Sequence, residues 1–317
     1  MKKSTPNNSI SSVIEPAAAG LRKYFDSRRE TFGTALEAAR LYYAVEGIHD
    51  LRVEIKRLRA LYKMVEFIAP SFESKRSAAP LKDLFRSAGR LRDIDIQQAI
   101  VLPYLERLDL REYFNHLKQQ ELGLRKSFAG LAGPRYMKSL VVNEARISET
   151  LAVATPLHMQ KQMRKRIRKL TGKLDRLIGQ SHLKNDDLHA TRKVSKELRY
   201  ALDMWQHCYG RLPAAESTSE RLKEAYNALG EWHDATLTMA SVQRILKRHR
   251  ESHLADPAAY RTFERRLRDR AGRHLAAFTR GSRRLRRSLT VLLAEFSREL
   301  SQPTTASRHR RVVKKRK

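Results

Sequence analysis

Ile48–Phe67, IHDLRVEIKRLRALYKMVEF, is the stretch whose reading decides the fold. It holds no Pro or Gly and is rich in strong helix formers, so it reads as a helix. His49, Arg52, Lys56, Arg59 and Lys63 recur at i, i+3, i+7, i+10 and i+14, within an arc of roughly 80° at about 100° per residue. Leu51, Ile55, Leu58, Tyr62 and Val65 form an apolar stripe whose centre lies about 120° from the basic one. Burying the apolar stripe in a helical bundle therefore leaves the basic row at the edge of the packed interface, facing a groove or channel. Asp50, Glu54 and Arg57 fall on what reads as the solvent side.

The chain writes this helix twice. In Leu188–His207, LHATRKVSKELRYALDMWQH, residues His189, Arg192, Lys196 and Arg199 follow His49, Arg52, Lys56 and Arg59 by 140 positions. Leu198 repeats Leu58 and Met204 repeats Met64, while Asp203 stands where Lys63 was. A second pair follows each copy, LKDLFRSAGRLRD at 81–93 and LKEAYNALGEWHD at 222–234, offset by 141. It matches Lys82 with Lys223, Phe85 with Tyr226, Gly89 with Gly230 and Asp93 with Asp234. Two motifs in the same order at nearly the same offset imply a duplicated unit of about half the chain.

These blocks, H-x-x-R-x-x-x-K-x-x-R followed by Leu, seven residues, Gly, three residues and Asp, each present twice, resemble the CHAD family, the histidine-bearing α-helical domain. The resemblance runs from about Val13 to Glu299. It implies two four-helix bundles related by approximate two-fold symmetry around a basic central cavity. It also implies that this cavity binds inorganic polyphosphate, on polyphosphate granules in the cytoplasm. The basic stripes and the repeat are properties of the residues; the identity of the polyanion comes from the resemblance.

Composition agrees with a polyanionic partner. The chain has 317 residues, with 65 Lys+Arg against 34 Asp+Glu and a net charge of +31. Gln302–Lys317 carries seven basic residues and no acid, so +24 remains on the rest of the chain. The one cysteine, Cys208, allows no intramolecular disulfide and reads as a partly buried, inert thiol, which fits a reducing cytoplasm. No run approaches the ~18 apolar residues of a membrane span, and MKKSTPNNSI lacks the apolar region of a secretory signal.

Strand-like alternation is absent, and the expected class is all-α. The expected divisions are a disordered segment at 1–12, a first helical half at 13–132, a second at 133–300 and a basic disordered tail at 301–317. The first helical stretch, Ser12–Ala44, should break near Gly33, and Gly47 should open the stripe helix. Ala129–Pro134, AGLAGP, punctuates the chain between the halves.

In 81–93, Lys82 and Gly89 lie side by side on the flank of the apolar face, and Arg92 projects about 20° from Leu81, where it needs an acid or a ligand as partner. His233 takes its place in the second half. The mid-helix glycines, each worth about 1 kcal/mol against Ala, suggest close approach of a neighbouring helix or of a ligand. A row of Lys and Arg offers donors about every 4.5–6 Å along a helix, which suits a phosphate chain. His49 and His189, in the first turns of their helices, would add an anion-favouring position. Among so many cations an imidazole without ligand should stay neutral, and phosphate should raise its pKa. The expected binding set is His49, Arg52, Lys56, Arg59, Lys63, Lys82, Arg92, His189, Arg192, Lys196, Arg199 and Lys223, with Arg22, Lys161, Arg164, Arg168 and Arg273 as further candidates.

Two other classes compete. His49-Asp50 invites a metal-dependent phosphohydrolase, but Ala190 follows His189, so the pair is not duplicated, and a divalent cage needs more ligands than the stripes supply. No catalytic residue, metal or cofactor is expected. Nucleic acid suits the charge, yet the stripes lack interleaved aromatics for stacking bases. The tail Arg308–Lys317, RHRRVVKKRK, could still grip nucleic acid nonspecifically, and a polyphosphate-metabolising enzyme is a further candidate partner.

Overall fold

A computed structural model describes residues 17–42, 45–180, 183–249 and 257–301. The expected disorder of 1–12 falls outside these residues, as does the basic tail beyond Ser301. Ten α-helices appear among the described residues: α1 (Ala17–Tyr42), α2 (Val45–Ile68), α3 (Ser74–Ala78), α4 (Lys82–Val101), α5 (Arg111–Leu131), α6 (Arg135–Ala152), α7 (Pro156–Ile178), α8 (Asn185–Tyr209), α9 (Pro213–His249) and α10 (Pro257–Ser301). Short 3₁₀ turns at Ala79–Leu81 and Leu102–Tyr104 flank α4, each carrying a proline where a missing N–H is harmless. No strand occurs among the described residues, and the fold is all-α.

The apolar stripe of α2 is buried throughout: Leu51, Ile55, Leu58, Tyr62 and Val65 are each 0% exposed. Fully burying side chains of this size gives about 1.5–3 kcal/mol each, which fixes the rotation of α2 about its axis. On α8, Leu198 and Met204 are buried like their counterparts Leu58 and Met64. Helices α1, α4, α7 and α8 all pack on α2, while α1, α7 and α9 pack on α8. One continuous apolar core runs through residues of α1, α2, α4, α6, α7, α8, α9 and α10. A smaller core joins the end of α4 and the start of α5 to α9 and α10. Residues of both halves share this core, with α2 and α8 both among its members.

Three local expectations are corrected. Helix α1 runs through Gly33 without a break; a Cβ there would lie 3.4 Å from the Met137 side chain of α6, so helix packing surrounds this position. Helix α2 begins at Val45, ahead of Gly47. Glu54 does not face solvent but is 2% exposed, paired with Arg57 at 2.7 Å and with Arg28 of α1 at 3.3 Å. By rotation it lies only about 60° from the apolar centre, and α1 covers that flank.

The N-terminus of α8 is capped from its own first turn: the Lys184 N–H donates to the Asp187 carboxylate at 3.0 Å. Gly210, at φ +83°, ends the helix in a conformation that only glycine adopts readily. Cys208 is half-buried and its thiol is pushed up to about 12 by burial, so it stays protonated.

Candidate functional site

Because α2 and α8 touch, their basic rows come together. A cleft of about 280 Å³ is lined by Lys56, Arg59, Ala60 and Lys63 of α2, by Phe85 of α4, and by His189, Arg192, Lys193, Lys196, Glu197 and Tyr200 of α8. Six of these side chains are cations and one is an acid. Glu197 accepts from Lys63 at 2.8 Å, and Arg166 of α7 lies 3.5 Å away from it. The Lys63 end of the cleft is thus partly neutralised from within.

An aromatic ring underlies the cations of each helix. Arg52, Lys56 and Arg59 lie 4.8, 5.7 and 5.5 Å from the Phe85 ring centre. Lys196 and Arg199 lie 5.3 and 5.6 Å from that of Tyr226, and Arg199 also donates to the Tyr226 hydroxyl at 2.5 Å. A ring face attracts a cation without neutralising it, so the rings hold these side chains while leaving their charge available.

The paired glycines now have a cause. Arg52 crosses Gly89 and donates to the carbonyl of Phe85 at 3.2 Å; a Cβ on Gly89 would collide with the Arg52 guanidinium. Arg192 lies over Gly230, 3.7 Å from where a Cβ would sit. The close approach is made by a neighbouring arginine side chain and not by a helix backbone. The Arg192 Nε is buried with no hydrogen-bond partner among the described residues, an unsatisfied donor of a kind that folded proteins seldom retain.

The crowding of cations shows in their acidities. Burial first, then Lys196, Arg52 and Arg192, push Lys56 down to about 7. Burial, Arg192 and Arg52 push Lys196 down to about 8. His233 falls to about 4 through burial, Arg192 and His189, whose ring stacks edge-on against it at 4.8 Å. Burial and Arg92 lower His49. Asp93 and Asp234 are raised by burial despite the opposing pull of Arg52 and Arg192 respectively. Each of these groups is held closer to its neutral form than usual, as expected where charge is desolvated and one sign is in excess.

Of the expected binding set, Lys56, Arg59, Lys63, His189, Arg192 and Lys196 line the cleft. Arg52 and Arg199 sit beside it on the two aromatic rings. His49, open to solvent on one side yet partly desolvated by its neighbours, lies where Lys56 and Lys196 both influence it. Arg92 is half-buried, not aimed into the core, and its charge acts on His49, Arg52 and Asp93. Lys82 and Lys223 are exposed and do not line the cleft. His49 and His189 are each the fifth residue of their helix, one place beyond the four free N–H groups, so the first-turn argument fails. Arg22 and Arg273 are exposed elsewhere, and Lys161, Arg164 and Arg168 line a different groove.

Sequence reasoning missed Glu197, Lys193 and Tyr200 in the lining. Glu197 meets Lys63 across 134 positions of chain, a contact that leaves no local signal. Phe85 was visible only as an apolar residue matched with Tyr226, and that match was the available clue.

Known structures share this fold. The crystal structure of the CHAD domain from the plant Ricinus communis superimposes with a TM-score of 0.64 at 20% identity, covering 86% of this chain and 91% of that one. PptA from Streptomyces chartreusis gives a TM-score of 0.62 at 16% identity, covering 84% of this chain and 99% of that one. No curated protein matches the sequence. The family model of the CHAD domain matches residues 23–243, and the chain accordingly belongs to the CHAD domain family.

Proposed function

We propose that the protein binds inorganic polyphosphate, without cleaving it, in the cleft between α2 and α8, and that this binding directs it to polyphosphate granules. The CHAD family is associated with polyphosphate binding and metabolism. The observation that carries the reading for this chain is the convergence of two basic rows, 140 residues apart in sequence, on one cleft.

The chemistry favours a linear phosphate chain over a single small anion. Cations are spread along both helices, with bidentate guanidinium donors from Arg59 and Arg192 and mobile ammonium groups from Lys56 and Lys196. An anion entering the cleft supplies negative charge beside Lys56 and Lys196 and raises their pKa values again. Among the described residues no group of three His, Cys, Asp or Glu is placed to hold a metal ion, and no helix is long and apolar enough to cross a membrane. The aromatic rings lie beneath arginine and lysine side chains, where they position cations and are not free platforms for bases.

Calorimetric titration of long-chain polyphosphate tests the reading, using wild type and a variant with Arg52, Lys56, Arg192 and Lys196 changed to Ala. Four charge-assisted contacts at about 1 kcal/mol each predict a loss of at least ~100-fold. Undiminished affinity would refute it. The non-catalytic part is checked by recovering the chain at its original length after incubation with divalent metal; release of orthophosphate would overturn that part.

A further inference from the structure

A second basic surface lies outside the cleft. On the outward side of α7, Lys161, Arg164, Lys165, Arg168 and Lys169 line a groove of about 600 Å³, closed on its other side by Leu293 of α10. Their spacing of i, i+3, i+4, i+7 and i+8 places all five on one helical face. Arg164 forms the floor, 6% exposed, with its guanidinium 5.3 Å from the Trp205 ring. The other four are exposed, and none makes an ion pair among the described residues.

Some arginines on other helices have an acid three residues away, as Arg76 has Glu73, Arg86 has Asp83 and Arg221 has Glu224, whereas Arg280, Arg283, Arg284 and Arg287 of α10 are exposed with no acid at that spacing. The α7 face has three like-charged i,i+4 pairs, Lys161/Lys165, Arg164/Arg168 and Lys165/Lys169, each of which destabilises a helix by a few tenths of a kcal/mol. The nearest acid along α7, Asp175, is held by Arg286 of α10 at 2.9 Å. Among the described residues the lining of the groove carries five cations and no acid, and Arg164 is not without a partner.

No residue of α7 lines the cleft, but Arg166, next in sequence to Lys165, reaches Glu197 at the Lys63 end of the cleft at 3.5 Å. One residue turns through 100° at a side-chain radius of about 5–6 Å, an arc of ~10 Å, which a few phosphates span. We propose that a polyphosphate chain too long for the cleft leaves it past Lys63 and Arg166, turns round α7 and lies along this groove. The groove is then a second contact tract that makes binding depend on chain length; the proposal rests on the cleft reading above.

The test compares tripolyphosphate, short enough for the cleft alone, with long-chain polyphosphate. The probe protein carries Lys161→Gln, Lys165→Gln, Arg168→Gln and Lys169→Gln. Arg164 is retained because it packs on Trp205, and Gln preserves helix propensity, checked by circular dichroism. The expected result is a loss of about 10–100-fold for the long chain, with a salt slope flatter by roughly three for four lost phosphate contacts. Tripolyphosphate affinity should stay within about two-fold, since the tether-like gain of a second tract is open only to a ligand that reaches both. Lys165→Glu alone should reproduce the length-selective loss in weaker form.

Equal affinity of wild type and variant for the long chain would overturn the proposal, and so would equal losses for both lengths, which would mean only a general field. Dependence on the groove for anionic vesicles or a single-stranded oligonucleotide, with none for polyphosphate, would assign it to another anion and also overturn it. The underlying reading fails separately: Lys56→Ala/Lys196→Ala would then leave both chain lengths bound as before.

Discussion

Phe85 and Tyr226 occupy matching places in the repeat, yet they hold their cations differently. Phe85 gathers Arg52, Lys56 and Arg59 on a ring with no polar group, and Arg52 is further locked by the Phe85 carbonyl and by contact with Gly89. Tyr226 holds Lys196 and Arg199, fixes Arg199 through its hydroxyl, and leaves Arg192 at ordinary contact distance from Gly230. The first half is close-fitting and more strongly desolvated; the second is looser. The acidities follow, with Lys56 at about 7 and Lys196 at about 8. Equivalent sequence positions thus carry unequal constraint, and equivalent substitutions should have unequal effects.

The largest effect should come from pH. Without phosphate Lys56 and Lys196 begin to lose protons near 7 and 8, whereas beside phosphate both should remain charged. Binding above these values must then draw in up to two protons, and affinity falls by up to tenfold per pH unit for each. Between pH 6 and pH 9 the total loss reaches ~1000-fold, with the Lys56 component appearing first. Calorimetry in buffers of different ionisation enthalpy should record proton uptake of between one and two at pH 8.5. An affinity that does not change over this range would remove the crowded lysines from the binding account. His49 and His233 add a smaller rise in affinity toward acid pH, since both are held below the usual histidine value without ligand.

The glycine pair separates the halves most cleanly. Gly89→Ala forces the Arg52 guanidinium out of its place, because the new methyl would occupy it. The obstacle is the far end of a flexible side chain, so the fold should persist, helped by about 1 kcal/mol of helix propensity. Affinity for polyphosphate should fall about tenfold or more, one charge-assisted contact being lost. Gly230→Ala meets only ordinary contact at 3.7 Å and should stay within about two-fold of wild type, the size of a contact that is not broken. Equal losses at the two positions would cancel the distinction between close-fitting and loose halves.

This pair also shows how far the sequence could be read. The repeat matched Gly89 with Gly230, and the 3.6-residue period oriented Leu51, Ile55, Leu58, Tyr62 and Val65 into the core. Periodicity describes one helix at a time, however. It could not say that α1 would cover Glu54, because α2 is packed on more than one side. Nor could it assign Lys161, Arg164 and Arg168 to a separate groove, since that depends on where α10 lies against α7. Glu197 was illegible for the same reason: its partners Lys63 and Arg166 come from two other helices.

Stability should report the same asymmetry on a smaller scale. The folded pKa of Lys56 lies below that of a lysine in the unfolded chain. The charged lysine therefore opposes folding fully below about pH 7, and stability rises as pH increases from about 7 toward the unfolded value near 10.5. Lys56→Met should raise Tm by about 2–4 °C at pH 6.5, the shift that ~1 kcal/mol produces in a protein of this size. The gain should shrink at pH 9. Lys196→Met should gain less, its displacement being smaller. A Tm unchanged or lowered by Lys56→Met at pH 6.5 would mean that Asp93 and the Phe85 ring already compensate the charge.

The smallest difference concerns the hydroxyl. Tyr226→Phe makes the second half resemble the first, keeping the ring under Lys196 and Arg199 while removing the acceptor for the Arg199 guanidinium. Arg199 remains half-buried and keeps its cation–π contact, so the fold should be little affected. What changes is orientation: Arg199 is freed from a neutral acceptor and becomes able to turn toward the cleft. If the hydroxyl chiefly preorganises Arg199, affinity should drop by about two- to five-fold, under 1 kcal/mol. If instead it competes with phosphate for the same N–H groups, affinity should rise by a similar factor. We expect the drop, because a guanidinium has five donors and the hydroxyl occupies one while the rest stay available. A rise would mean that the looser half is restrained by its own tyrosine, and that Phe85 is the more permissive platform of the two.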